Sequence, residues 1–158
     1  MKIDKENGGE EYPIQYQQSM DIDWFFCYNG LFFHVASNGI LLPKIKNCKS
    51  PFFVNQVENQ KVQNRLARLM SNDEYIPFEI DVRHNPLNLN YSSFKEFARM
   101  GFVSLDTIGK KELHVIARPK EYKYMELDKH LDIPIKQLDV KVARLQIIDI
   151  DGSPLILE

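Results

Sequence analysis

A chain of 158 residues with 44% hydrophobic and 27% charged residues, at a net charge of −2, is sized for one globular domain with an ordinary core. That balance excludes a general pull toward nucleic acid or anionic lipid. The longest apolar run, Trp24 to Tyr28, also falls far short of the roughly 20 residues of a membrane helix. Two cysteines, Cys27 and Cys48, are too few for a disulfide framework, so the expectation is a reduced cytoplasmic protein without a cofactor.

Residues 1–19 read as a polar, flexible tail. They hold Gly8-Gly9, few aliphatics and no apolar stretch of the kind a secretory signal needs. Tyr12, Ile14 and Tyr16 alternate inside it, as a short edge strand would. Met20 stands directly before the first apolar strand and is a second candidate start, so the globular domain is expected over 20–158.

Next comes Asp23-Trp-Phe-Phe-Cys-Tyr-Asn-Gly-Leu-Phe-Phe-His-Val-Ala36. Asn-Gly is the strongest two-residue hairpin signal, because both positions of a type I′ turn need positive φ. With Asn29-Gly30 as the loop, Tyr28 pairs with Leu31, Phe25 with His34 and Trp24 with Val35. Alternation then puts Trp24, Phe26, Tyr28, Leu31, Phe33 and Val35 on an all-apolar face. The other face carries Asp23, Phe25, Cys27, Phe32, His34 and Ala36. In a two-layer domain only one face joins the main core. The mixed face is therefore expected to be partly covered, leaving a recess beside His34, or to meet a partner.

Asn38-Gly39 leads into a short strand, Ile40 to Pro43. Ser50-Pro51 supplies an N-cap and a proline at the first helical position, which predicts a helix over about 51–70 with Val62, Leu66 and Leu69 as its buried stripe. Tyr75 to Val82 reads as a strand. Ser93 to Glu96 has the spacing of a capping box, opening a short helix over about 93–100 that ends at Gly101. Phe102 to Thr107 and Leu113 to Ala117 read as strands joined through Gly109. Residues 119–139 give no clear pattern. A terminal hairpin over 140–157 is expected to turn at Asp151-Gly152. The sum is an α+β fold on a mostly antiparallel sheet built from hairpins.

Three features bear on function. His34 has Asp23 and Cys27 as diagonal neighbours on one face. A carboxylate that orients an imidazole, or a thiol beside it, is the arrangement of a small hydrolase or transferase, with His34, Asp23 and Cys27 as catalytic candidates. The competing reading is a histidine capping an aromatic cluster through one hydrogen bond. Cys48 lies between Lys46 and Lys49 ahead of the predicted helix, so positive charge and the helix N-terminus favour its thiolate and mark a reactive thiol. Residues 24–71 hold six basic side chains against Glu58, and Lys61, Arg65 and Arg68 fall within an arc of about 60° on one helix flank. Such a stripe suits nucleic-acid contact through 44–68, against the plainer reading of a solvated face.

Metal-ligand patterns are incomplete. Asp81 and His84 lack a third ligand, Asp149 to Gly152 is a simple turn sequence, and His114 stands where a metal nuclease with Asp106 and Glu112 would want lysine. No metal is expected. No glycine-rich phosphate loop or Gly-x-Ser-x-Gly elbow is present. The leading expectation is a non-catalytic interaction domain. It would contact another protein, or itself as a homo-oligomer, through aromatic surface at Phe25, Phe32 and His34. The hydrolase and nucleic-acid readings follow in that order, and no membrane partner is expected.

Overall fold

The hairpin forms from its turn outward. Asn29 and Gly30 adopt φ of 50° and 75°, the left-handed pair that a type I′ turn demands. Every expected cross-strand pair is then in register, from Tyr28 with Leu31 to Asp23 with Ala36. The surrounding architecture comes from a computed structural model, which describes residues 11–47, 49–72, 74–121 and 135–155.

Its elements run α1 (Ile14–Ser19), β1 (Asp23–Tyr28), β2 (Leu31–Ala36), α2 (Gln56–Ser71), β3 (Ile80–Val82), α3 (Ser92–Arg99), β4 (Val103–Thr107), β5 (Glu112–Pro119) and β6 (Gln146–Ile148). Among the described residues this is an α+β fold with three helices on one six-stranded sheet. The order is β1-β2-β4-β5-β3, and β6 takes the other end of the β5 edge that β3 occupies. The sheet is mixed, which corrects the mostly antiparallel expectation: β2 runs parallel to β4, and β5 parallel to β6. A parallel pair needs a crossover, and the chain makes one through α2, β3 and α3 between β2 and β4. Local hairpin signals carry no information about such a return. No helix among the described residues is long and apolar enough to cross a membrane.

Both hairpin faces are interior. Trp24, Phe26, Phe33 and Val35 join Val103, Leu105 and Val115 in one core, with Phe26 stacked on Phe33 at 4.6 Å. That core is closed by irregular segments bearing Tyr12, Phe52, Val54, Leu138 and Val140. Phe25, Cys27 and Phe32 join a second core beneath α2, through its expected stripe of Val62, Leu66 and Leu69, and beneath Phe97 of α3. The outer edge of β1 is covered as well. Cys27 donates to Lys136 O at 2.9 Å and its carbonyl accepts from Leu138 N at 3.0 Å.

Several boundaries move, each for a local reason. The long helix starts at Gln56 and not at 51, because Asn55 caps it by accepting from Glu58 N at 3.0 Å. Residues before Asn55 stay extended: Phe52 pairs with Ile45 through two backbone bonds, and the alternation buries Phe52 and Val54. The Ser93 capping box does not form. α3 has no side-chain cap bond at its N-cap Tyr91, and Asn90 Oδ1 instead accepts from Ser92 N. Gly101 does end that helix, at φ 111°. Ile40 to Pro43 forms no strand, and the 75–82 strand shrinks to β3. The terminal turn bridges Ile148 to Pro154 as expected, while residues 140–144 coil instead of extending. Residues 122–134 of the unpatterned stretch lie outside the described residues.

Of residues 1–19, the described part, 11–19, packs against the rest of the chain. Tyr12 is 4% exposed, stacks on Tyr16 at 5.5 Å, and its hydroxyl accepts from Asn59 Nδ2 at 3.0 Å. Pro13 then opens a six-residue helix in place of the edge strand. A chain beginning at Met20 should therefore melt at least several degrees below the full chain, measured by circular dichroism. Phe33→Ala, which removes the fully buried ring stacked on Phe26, should cost about 3–5 kcal/mol in chemical denaturation.

Candidate functional site

His34 occupies β2 in register with Phe25 on β1 and Ser104 on β4, so three strands converge on its ring. The imidazole is 1% exposed. Nε2 lies 2.7 Å from Asp23 Oδ1 and Nδ1 2.7 Å from Ser104 Oγ. A carboxylate oxygen only accepts, so Nε2 carries a proton and donates to Asp23. Phe97 from α3 stacks flat on the ring at 3.9 Å and 21°, with Phe25 and Phe94 at its sides.

Hydroxyl, imidazole and carboxylate in series are the parts of a nucleophilic relay, but the polarity is inverted. Ser104 is 0% exposed, whereas the Asp23 side chain is 43% exposed. The group that would attack is the buried end, and the carboxylate is the end that solvent reaches. The chain of bonds therefore orients and holds Asp23.

The other sequence candidates separate. The recess expected beside His34 is filled by Phe97, because a flat aromatic ring packs on an imidazole as well as an aliphatic would. Phe25 and Phe32, expected as contact surface, are 6% and 5% exposed. Cys27 shares their face and is buried, its Sγ 3.5 Å from Ile135 O. Cys48 lies outside the described residues. Lys61 and Arg68 are exposed on α2 and Arg65 is half-buried, apart from His34. Sequence reasoning missed Ser104 and Phe97. Ser104 becomes visible only when β4 is known to lie beside β2.

Asp23 opens into a groove of about 340 Å³ between α1 and α2. Asp21, Asp23, Gln60, Gln63 and two tyrosines supply its polar lining, while Leu66, Met70 and Phe97 supply apolar wall. The Asp23 backbone is pinned from α2, its carbonyl accepting from Gln63 Nε2 at 2.7 Å and Asn59 Nδ2 at 2.9 Å. Asp21 Oδ1 accepts from Asn38 N at 2.9 Å. Nearby, burial and then the Asp21 charge hold the Asp106 carboxyl above its ordinary range. His114, opposite Asp106 on β5, bonds Glu112. Asp81 and Asp149 both accept from Arg118. Among the described residues no three metal-ligating side chains lie close enough to hold an ion.

Comparison of the chain with protein-family models, with curated proteins and with solved structures finds no match.

Two outcomes follow from this geometry. Phe32→Ser should destabilise the fold strongly and leave the sedimentation coefficient of the remaining folded protein unchanged, because the ring is internal. Asp106 favours its neutral form in the fold, so it stabilises below the unfolded carboxyl range and that contribution is lost as pH rises through its raised value. Asp106→Asn should therefore raise the melting temperature at neutral pH, and the gain should fade as pH falls through the raised value and be gone below about 4, the ordinary carboxyl range.

Proposed function

We propose that this chain is a non-catalytic recognition domain for another protein, and that it receives a basic side chain of that partner in the groove beside Asp23. The observation that carries the reading is the direction of the His34 network. Both ring nitrogens face internal partners and the hydroxyl is buried, so the network delivers to solvent one oriented carboxylate.

The groove suits a lysine or arginine for three reasons. Asp21 and Asp23 supply negative charge at its polar end. Gln60 and Gln63 add amide groups beside them. Leu66, Met70 and Phe97 can cover the alkyl stem that such a side chain buries while its charged head pairs. A half-exposed ion pair contributes up to about 1 kcal/mol, so one side chain alone binds weakly and a partner needs further contacts along α1 and α2. The hydrolase reading loses its support in the inverted relay. The nucleic-acid reading has exposed Lys46, Lys49, Lys61 and Arg68 to draw on, but on a chain of net charge −2.

Titration with N-acetyl-arginine amide, followed by two-dimensional amide NMR, tests the groove. Saturable shifts are expected at Asp23, Gln60, Gln63 and Ala67, with an affinity on the order of millimolar. N-acetyl-glutamine amide should produce none, and Asp21→Asn with Asp23→Asn should abolish the response while keeping the hydrogen-bond acceptors. Shifts that are absent, or equal for the two amides, refute the proposal.

A further inference from the structure

On the opposite side of the sheet the loop after β2 encloses a second and larger hollow of about 470 Å³. That volume lies within the roughly 300–1,000 Å³ of small-molecule sites. Trp24, Leu113 and Leu145 line it from the sheet side, and Ile40, Leu41 and Leu42 from the loop. Lys44, Lys110 and Lys111 line it too, and among the described residues no carboxylate does. Three lysines and no described carboxylate in the lining depart from the acidic balance of the whole chain, although Lys44 pairs with Glu11 outside it.

The loop wall is built to hold its shape. Asn38 and Gly39 take φ of 53° and 76° and turn the chain back, with Ile40 N donating to Ser37 O at 2.9 Å. A Cβ at Gly39 would sit 3.2 Å from Gln18 O, so glycine lets the end of α1 cross the turn. Ser37 Oγ accepts from Ile22 N at 2.7 Å, and Leu42 N donates to Gln17 Oε1 at 2.8 Å. Leu41 stays half exposed on this fixed wall. Lys111 is tethered to Ala143 O at 3.2 Å and Lys110 is exposed, while Lys44, at the end of the loop, pairs with Glu11.

We infer that this hollow is a binding site for a small amphipathic anion, with its apolar body over Trp24 between the loop and Leu113 and its carboxylate at Lys110 and Lys111. The ligand class follows from the lining. An apolar body removes surface of Leu41, Ile40, Leu42 and Leu145 from water. A single anionic head answers two lysines that have no acidic partner in the hollow. A neutral apolar molecule would fill the space and leave that charge unmatched. A strongly polar anion would forgo the apolar wall. The inference is independent of the groove beside Asp23, which shares no lining residue with this hollow.

Trp24 is the chain's single tryptophan and lies against the site, so its fluorescence reports occupancy directly. Decanoate should change the emission saturably, and decanol, with the same chain and no charge, should bind about tenfold more weakly. Lys110→Gln with Lys111→Gln should reduce decanoate to the affinity of decanol while the protein stays folded, since both side chains are exposed and only the Lys111 bond to Ala143 O is lost. Leu41→Asp should weaken decanoate further by placing an acid on the loop wall. Equal affinities for decanoate and decanol overturn the inference, as does an unchanged decanoate affinity in the double variant or an emission that neither probe alters.

Discussion

One buried imidazole constrains this structure more than any other side chain. A polar ring removed from water must keep its hydrogen bonds or destabilise the fold by about 1–3 kcal/mol for each group left bare. His34 meets that demand only if β1 brings Asp23 to Nε2 and β4 brings Ser104 to Nδ1. Its flat faces must also be packed, and Phe97 of α3 stacks on the ring at 3.9 Å. The same residue thus ties a hairpin to a strand from the other half of the sheet and sets where a helix lies on both. A slip of one residue between β2 and β4 would turn Ser104 to the other face and leave Nδ1 bare.

The greasy second face of the hairpin follows from that arrangement. With helices on one side and extended loops on the other, the sheet is the middle of three layers, and aromatic residues on both its faces have cores to enter. The two proposed sites accordingly lie at the margins of the sheet. One margin is the groove where the outer end of the His34 network emerges as a carboxylate. The other is the lysine-rimmed hollow beneath the loop after β2. Their charges are opposite, which gives a chain of nearly neutral balance two chemically distinct surfaces.

Features governed by neighbours in the chain were legible from the sequence. The hairpin register followed from Asn29-Gly30 and strict alternation, and the buried stripe of α2 from its period. Features decided by distant contacts were not. Ser50-Pro51 and Asn55 are both sound helix starts, and the choice fell to Asn55 because Phe52 packs near Trp24, with ring centres 6.1 Å apart. Tyr12 sits in a polar stretch, and its docking depends on Asn59 of a helix far along the chain. Ser104 carried no signal as a partner for His34, because parallel pairing across a long crossover leaves no mark on either strand. The aromatic residues taken as contact surface were recognised as a cluster. What covered them was not written locally.

The central claim is that His34 is an internal strut whose ring solvent does not reach. Labelling of the folded protein with diethyl pyrocarbonate, mapped by peptide mass spectrometry, measures this directly, with exposed His84 as the internal reference. His84 should be modified while His34 stays unlabelled until the protein is unfolded. Modification of His34 at the rate of His84 in the folded protein would contradict it.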